Sequence, residues 1–197
     1  MKRVDCRARL FAFLYSSERV VLHFFYTFFG RIKSLLIGVD LGRNVSFNGT
    51  VRIDRFKYSK IVIGDNVVFN SHNAFNPRGC RSSILKTARD SAIIEIGEGS
   101  GLSGVSIVSW SSVKIGQHVM IGANVSIGDT DDHPERLHTE PLPVIIGNNV
   151  FIGMNSIILK GVTIGDNTIV GAGSVVTKSL PANCVAAGVP CRVIKVS

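Results

Sequence analysis

Aliphatic side chains return every six residues along the C-terminal half of this chain: Ile146, Ile152, Ile158, Ile164, Val170 and Val176, with Ile115, Ile121 and Ile127 as an earlier set. Glycine often follows directly, as at Gly116, Gly122, Gly128, Gly147, Gly153, Gly165 and Gly171. A small or β-branched residue sits four positions after the aliphatic one, as at Val119, Val150, Ser156, Thr168 and Ser174. Upstream the spacing recurs with gaps, in the triplets Leu41/Phe47/Ile53, Ile63/Phe69/Phe75 and Ile96/Leu102/Val108. A period of six does not fit a 3.6-residue helix, and runs such as IVIGDNVVF (61–69) are β-branched and short. The pattern predicts a strand of about four residues and a two-residue turn, three such units closing a triangular coil. Grouping by threes gives six sets of eighteen residues, each aliphatic stacking on its copy one coil later and contributing roughly 1.5–3 kcal/mol. The corners fall at GDN (64–66 and 165–167), GNN (147–149) and GQH (116–118), where positive φ is needed. The fold class expected is all-β, a parallel β-helix of about six coils. A sandwich would show turn signals every 8–12 residues, not strict sixes.

Departures from the period locate excursions. From Ile127 to Ile146 the count is nineteen, which predicts that residues 133–145 leave the coils. A second break of some fifteen residues lies between Phe75 and Ile96, around NPRGCRSSILKTARDSA. Residues 1–38 lack the period. There Val20, Val21, Phe24, Phe25, Phe28, Phe29, Ile32, Leu35 and Leu36 recur at helical spacing. The chain thus divides into an N-terminal helical segment, 1–38, and a repeat domain, 39–197. The helix is expected either to cap the open end of the solenoid or to lie in a membrane interface through residues 19–37. The run Val20–Phe29 is too short to span a bilayer.

Charge sharpens this division. The net charge is +8. Residues 1–60 carry twelve Lys/Arg against four Asp/Glu, and residues 61–197 carry ten of each. The basic character therefore belongs to the N-terminal third and suits an anionic surface near it. A nucleic-acid partner is not expected, because the body offers no continuous basic footprint. Cys6, Cys80, Cys184 and Cys191 form no C-x-x-C pair and read as reduced thiols. The apolar stretch Leu10–Tyr15 is too short for a secretory signal. A cytoplasmic location is expected, with the inner face of the cytoplasmic membrane as its alternative.

Three runs carry a resemblance: IGANVSIGDTDDHP (121–134), PVIIGNNVFIGMNSIILKGVTIGDNTIVGAGSVVTKSLPANCVAAGVPCRVIK (143–195) and, more loosely, NPRG (76–79). Over residues 40–195 the chain resembles the left-handed β-helix acetyltransferases of the galactoside/maltose type and the bacterial surface-polysaccharide O-acetyltransferases. The resemblance implies a left-handed coil, a homotrimer, acetyl-CoA as co-substrate, no required metal, and a sugar or glycan acceptor. His133, followed by Pro134, matches the family's base, and an imidazole suits deprotonation of an attacking hydroxyl near neutral pH. Asp129, Asp131 or Asp132 would orient it, the sequence leaving all three open. Coenzyme A would meet Gly153, Met154, Ala172, Thr177, Lys178, Arg192 and Lys195, with the cations matched to phosphate. Met154 departs from the small residue usual there, and Phe151 replaces a Trp.

For the acceptor, Ser103, Trp110, Asp131 and His138 are the candidates, with Arg78 and the 78–93 excursion at the border. Trp110 has two readings, a sugar-stacking platform or a packing residue between coils. His133 and His138 share the five-residue spacing of the zinc-binding hexapeptide-repeat carbonic anhydrases. The third ligand is missing, since Gly97 stands two coils earlier, so zinc chemistry is not expected. GSGLSG (99–104) fits G-x-G-x-x-G, but the six-residue period resumes where a dinucleotide fold needs a helix. The expected function is O-acetyl transfer from acetyl-CoA to a sugar hydroxyl. The alternatives are N-acetylation of a nucleotide-linked amino sugar and a non-catalytic scaffold.

Overall fold

The computed structural model describes residues 6–76, 79–131 and 140–196, with side chains from Ser17 onward. Among the described residues one helix, α1 (Cys6–Ile37), precedes a stack of six three-stranded coils. Coil 1 is β1 (Asp40–Leu41), β2 (Ser46–Gly49) and β3 (Val51–Asp54). Coil 2 is β4 (Lys60–Ile63), β5 (Val68–Ser71) and β6 (Ser83–Thr87). Coil 3 is β7 (Ile93–Ile96), β8 (Gly101–Ser103) and β9 (Ser106–Ser109). Coil 4 is β10 (Ser112–Ile115), β11 (Met120–Ile121) and β12 (Ser126–Gly128). Coil 5 is β13 (Val144–Ile146), β14 (Phe151–Ile152) and β15 (Ile157–Ile158). Coil 6 is β16 (Thr163–Ile164), β17 (Ile169–Val170) and β18 (Val175–Val176). An antiparallel pair, β19 (Cys184–Gly188) and β20 (Cys191–Val196), closes the C-terminal end.

Strands of equal place stack in parallel into three sheets. In the first, Ile63, Ile96, Ile115, Ile146 and Ile164 are in register. In the second, Phe47, Phe69, Leu102, Ile121, Ile152 and Val170 align. In the third, the column is Ile53, Leu85, Ile107, Ile127, Ile158 and Val176. These side chains are buried and form one continuous core. Phe47 and Phe69 stack with ring centroids 5.4 Å apart. Corners are turned by residues in the left-handed region, among them Asn149, Asn167 and Asn183 at φ 54°, 56° and 57°. Their amides form a ladder, Asn149 donating to Asn167 (3.3 Å) and Asn167 to Asn183 (3.0 Å).

The spacing holds at eighteen only between coils 5 and 6. Two inward positions differ from the expectation. Leu85, not Phe75, fills the third face of coil 2, and Ile107, not Val108, fills that of coil 3. The period hid the first because the strand SILKT presents Ser83, Leu85 and Thr87 inward, two of them polar yet buried. Ser83 exchanges a 2.7 Å hydrogen bond with Ser71, and Thr87 one of 2.6 Å with Ser59, so small hydroxyls substitute for aliphatics where a loop enters. The expected single break between Phe75 and Ile96 is therefore two loops, 72–82 and 88–92, flanking a strand. The C-terminal excursion also shifts. Asp129 is fully buried and its carbonyl accepts the Leu142 N–H (2.8 Å), while Val144 is already in β13. The chain leaves at 130 and returns by 143, rather than spanning 133–145.

Helix α1 crosses the exposed end of coil 1. Its Thr27 hydroxyl accepts the Phe47 N–H (3.1 Å) and donates to the Phe47 carbonyl (3.2 Å). His23 Nδ1 meets Asn48 Oδ1 at 2.7 Å. Gly30 lies on the Phe47 ring so closely that a Cβ would come within 2.6 Å of it. The helix stops in a Schellman turn. Gly38, at φ 79°, donates to the Leu35 carbonyl (3.0 Å) and Val39 to that of Ser34 (2.9 Å).

Candidate functional site

Two edges of the prism carry chemistry. One follows the second sheet, where β8, β11, β14 and β17 turn toward the third. Its corner residues are Ser103, then Gly122-Ala123-Asn124, Gly153-Met154-Asn155 and Gly171-Ala172-Gly173. Stacking these triplets brings backbones together. A Cβ on Gly122 would stand 2.6 Å from the Met154 nitrogen, and one on Gly153 would stand 2.4 Å from that of Ala172. Without side chains at these glycines, a shallow groove of about 400 Å³ runs along the edge, lined by Phe75, Asn76, Ser103, Ala123, Phe151 and Met154 among others. A floor of glycine and alanine lets a thin ligand approach the main chain. The Asn155 N–H donates to Ala123 and the Gly173 N–H to Met154, each at 2.8 Å, which fixes the rungs.

The other edge follows the third sheet and carries the long excursion. The Asp129 carboxylate turns inward and accepts three hydrogen bonds: from the Trp110 N–H (2.7 Å), the Ser111 N–H (2.7 Å) and the Ser109 hydroxyl (2.9 Å). It pins the coil 3 corner to the root of the excursion. Asp131 pairs with Lys160, which follows β15 on the coil beyond. On the returning limb, Glu140 lies 3.8 Å from Arg89, whose guanidinium sits 5.3 Å above the Trp110 ring. Trp110 also borders an open groove of about 670 Å³ with Arg52, Asp54, Arg55, Phe56 and Lys86, in which Arg52 is paired to Asp54 (2.9 Å).

The residues expected from sequence are distributed over both edges. Ser103, Gly153, Met154 and Ala172 share the first groove. Arg192 is not among the groove's lining residues; it pairs with Ala187, whose Cβ fills the space left by Gly171. Lys195 lies farther along β20, opposite Val185. Thr177 and Lys178 follow β18 and so belong to the second edge, together with Trp110 and Asp131. His133 and His138, like Arg78 and Asp132, lie outside the described residues. Of the three aspartates considered as partners for His133, Asp129 is committed to the coil 3 corner and Asp131 is ion-paired to Lys160. Sequence reading missed Gly122, Ala123, Phe75 and Asn76 as groove residues, and Lys160 as an anchor. The first pair carries a legible signal, because GAN (122–124) repeats as GMN (153–155) at the same corner. The second pair comes from a loop that no periodicity places.

The family described as the hexapeptide repeat of succinyl-transferase matches residues 112–128 and 143–178, the strands and corners that build both edges. The solved structure of the polySia specific acetyltransferase NeuO superposes with a TM-score of 0.54 at 28% identity, covering 79% of this chain and 80% of that one. The chain carries the hexapeptide repeat and is similar to hexapeptide-repeat acetyltransferases. Its β-helix is accordingly of the left-handed class. A maltose O-acetyltransferase of Clostridium difficile 630 aligns over 93% of this chain and 89% of that one, with a TM-score of 0.51 and 27% identity. Galactoside O-acetyltransferase of Escherichia coli (strain K12) is 50% identical over 96 residues, which are 46% of this chain and 47% of that protein. The chain spans about half the length of the curated relatives it matches first. The matched repeat includes the corner triplets at 122–124, 153–155 and 171–173.

Proposed function

We propose that this protein transfers an acetyl group from acetyl-CoA to a hydroxyl of a sugar, in the assembly or modification of a surface glycan. The glycine–alanine floor of the first groove is the observation that carries this reading. It suits the narrow pantetheine arm, with Arg192 and Lys195 toward the diphosphate end and the Met154 N–H beside the thioester carbonyl. His133 is the general base. The acceptor hydroxyl attacks the acetyl carbonyl carbon while the imidazole takes its proton. The C–S bond breaks, the thiolate leaves and is protonated, and an acetate ester and free coenzyme A result. The names of the relatives, acetyltransferases of galactosides, maltose and polysialic acid, support a carbohydrate acceptor.

The working unit in this reading is a homotrimer. The two chemical edges lie on different corners of one prism, and a neighbour's second edge set against the first would complete one cleft. An outward apolar column on the second sheet, Met120, Phe151 and Ile169, each about half exposed, supports such a contact.

Incubation with acetyl-CoA and a panel of neutral and acidic glycans, following thiol release and the mass and hydroxylamine lability of the product, tests the proposal. A hydroxylamine-labile ester is expected. A stable amide would move the acceptor to an amino sugar, and absence of coenzyme A binding by calorimetry would leave only a scaffold.

A further inference from the structure

Helix α1 is amphipathic in the inverted sense. The residues that bond or press onto coil 1 are His23, Thr27, Gly30, Arg31 and Lys33, with Tyr26 and Ile37 packed against the core from the same side. The large apolar residues point away. Val20, Val21, Phe24, Phe25, Phe28, Phe29, Ile32, Leu35 and Leu36 are 41–81% exposed. At 3.6 residues per turn all nine fall within one half of the helix, about 180° of arc. Soluble proteins rarely leave a contiguous apolar face of this size uncovered.

The rim of that face is basic. Arg31 and Lys33 flank it and donate to the backbone carbonyls of Val45 and Val51, and neither forms an ion pair among the described residues. Arg55 reaches back to the Ile37 carbonyl at the helix end (2.8 Å). Beside it Phe56 and Tyr58 are 47% and 69% exposed, with Lys57 over the Tyr58 ring. Exposed aromatics and cations around an apolar half-cylinder match the headgroup region of a bilayer.

We propose that α1 lies in the plane of an anionic phospholipid surface, its apolar half among the acyl chains, with the coils standing away from the membrane. The segment Ser17–Ile37 has the length and mean hydropathy, 1.4, to cross a bilayer. Its polar half, however, is hydrogen-bonded to coil 1, and crossing would strand those partners in hydrocarbon. A second copy of the helix is the other conceivable cover. A two-helix seam uses a narrower stripe than this half-cylinder, and a symmetric pairing would bring the Arg31 and Lys33 rims of two copies together. With each coil adding roughly 4.8 Å, the edges at coils 4 and 5 stand about 15–20 Å beyond coil 1, on the side away from the helix.

The test is flotation of the full chain with phosphatidylcholine vesicles, with and without about one-third phosphatidylglycerol. Wild type is expected to float with the anionic vesicles, less so as salt rises. The triple variant Phe28→Gln/Leu35→Gln/Leu36→Gln should lose this by about tenfold or more, with circular dichroism and melting little changed because those side chains are 60–81% exposed. Equal flotation of the triple variant, or no flotation of wild type, would overturn the proposal. So would retention of wild type in carbonate-washed membranes, which means a spanning helix. A vesicle-free oligomer that the triple variant dissociates would assign the face to a second copy instead.

Discussion

At Gly122 the fold leaves no room for a methyl group, because the Met154 nitrogen of the next coil lies where a Cβ would press. Gly122→Ala should therefore displace that rung, lowering coenzyme A affinity about tenfold in calorimetry along with the melting temperature. Gly128→Ala is the control, since its nearest neighbour is at an ordinary 3.7 Å. His133→Ala should reduce turnover by about 10²–10⁴ while coenzyme A binding persists, which separates a base from a ligand contact. Asp129 serves a different end. Its buried carboxylate satisfies two backbone N–H groups and a hydroxyl. Asp129→Ala should cost about 2–4 kcal/mol in denaturant unfolding, and Asp129→Asn less, because one acceptor remains. The sequence places Asp129 equally well beside His133, and only the corner geometry turns it inward.

At the level of elements, each coil is held by its neighbours, and coil 1 has the helix on one side. Thr27 there closes both backbone hydrogen bonds of Phe47 across to the helix. Thr27→Val preserves shape but opens both, and should cost about 1–2 kcal/mol, seen as faster amide exchange in coil 1 before any change in coils 4–6. The Arg43–Asp65 pair joins coils 1 and 2 at a corner. The Arg43 backbone N–H, then its guanidinium, hold the Asp65 carboxyl below the usual carboxylate range. A lowered folded-state value means that this contact stabilises above the ordinary carboxylate range and is lost as pH falls through the lower one. Asp65→Asn should accordingly flatten the acid dependence of exchange in coil 1, with little change at neutral pH, since the pair is screened by solvent.

For the whole molecule, the helix, the stack and the two chemical edges occupy separate regions of one rod. The apolar half of α1 faces away from coil 1. The apolar column Met120–Phe151–Ile169 lies on the second sheet, at the other end of the stack. The two surfaces should respond independently. Ile169→Glu is expected to shift the sedimentation of the protein toward monomer and to abolish turnover while leaving vesicle flotation intact.

The period of six determined the architecture without any coordinates. Inward aliphatics at fixed spacing admit one economical burial, and Asn or Gly at the corners supplies the positive φ that closes it. The N-terminal helical segment was legible for a similar reason, a 3.6-residue period of apolar residues from Val20 to Leu36, while its bounds came from the structure. Tertiary structure alone decided three other matters. Leu85 and Ile107 took the inward places expected of Phe75 and Val108, because loops that add or drop residues shift register and buried serines can fill a face. Ser103 and Trp110, adjacent in the sequence argument, went to opposite edges, because a turn between strands rotates successive side chains onto different sheets. The sense of the helix was decided the same way. Hydrophobic spacing marks an apolar face, but whether that face turns toward the protein or away depends on what coil 1 offers, and coil 1 offered backbone hydrogen bonds that only the polar half could meet.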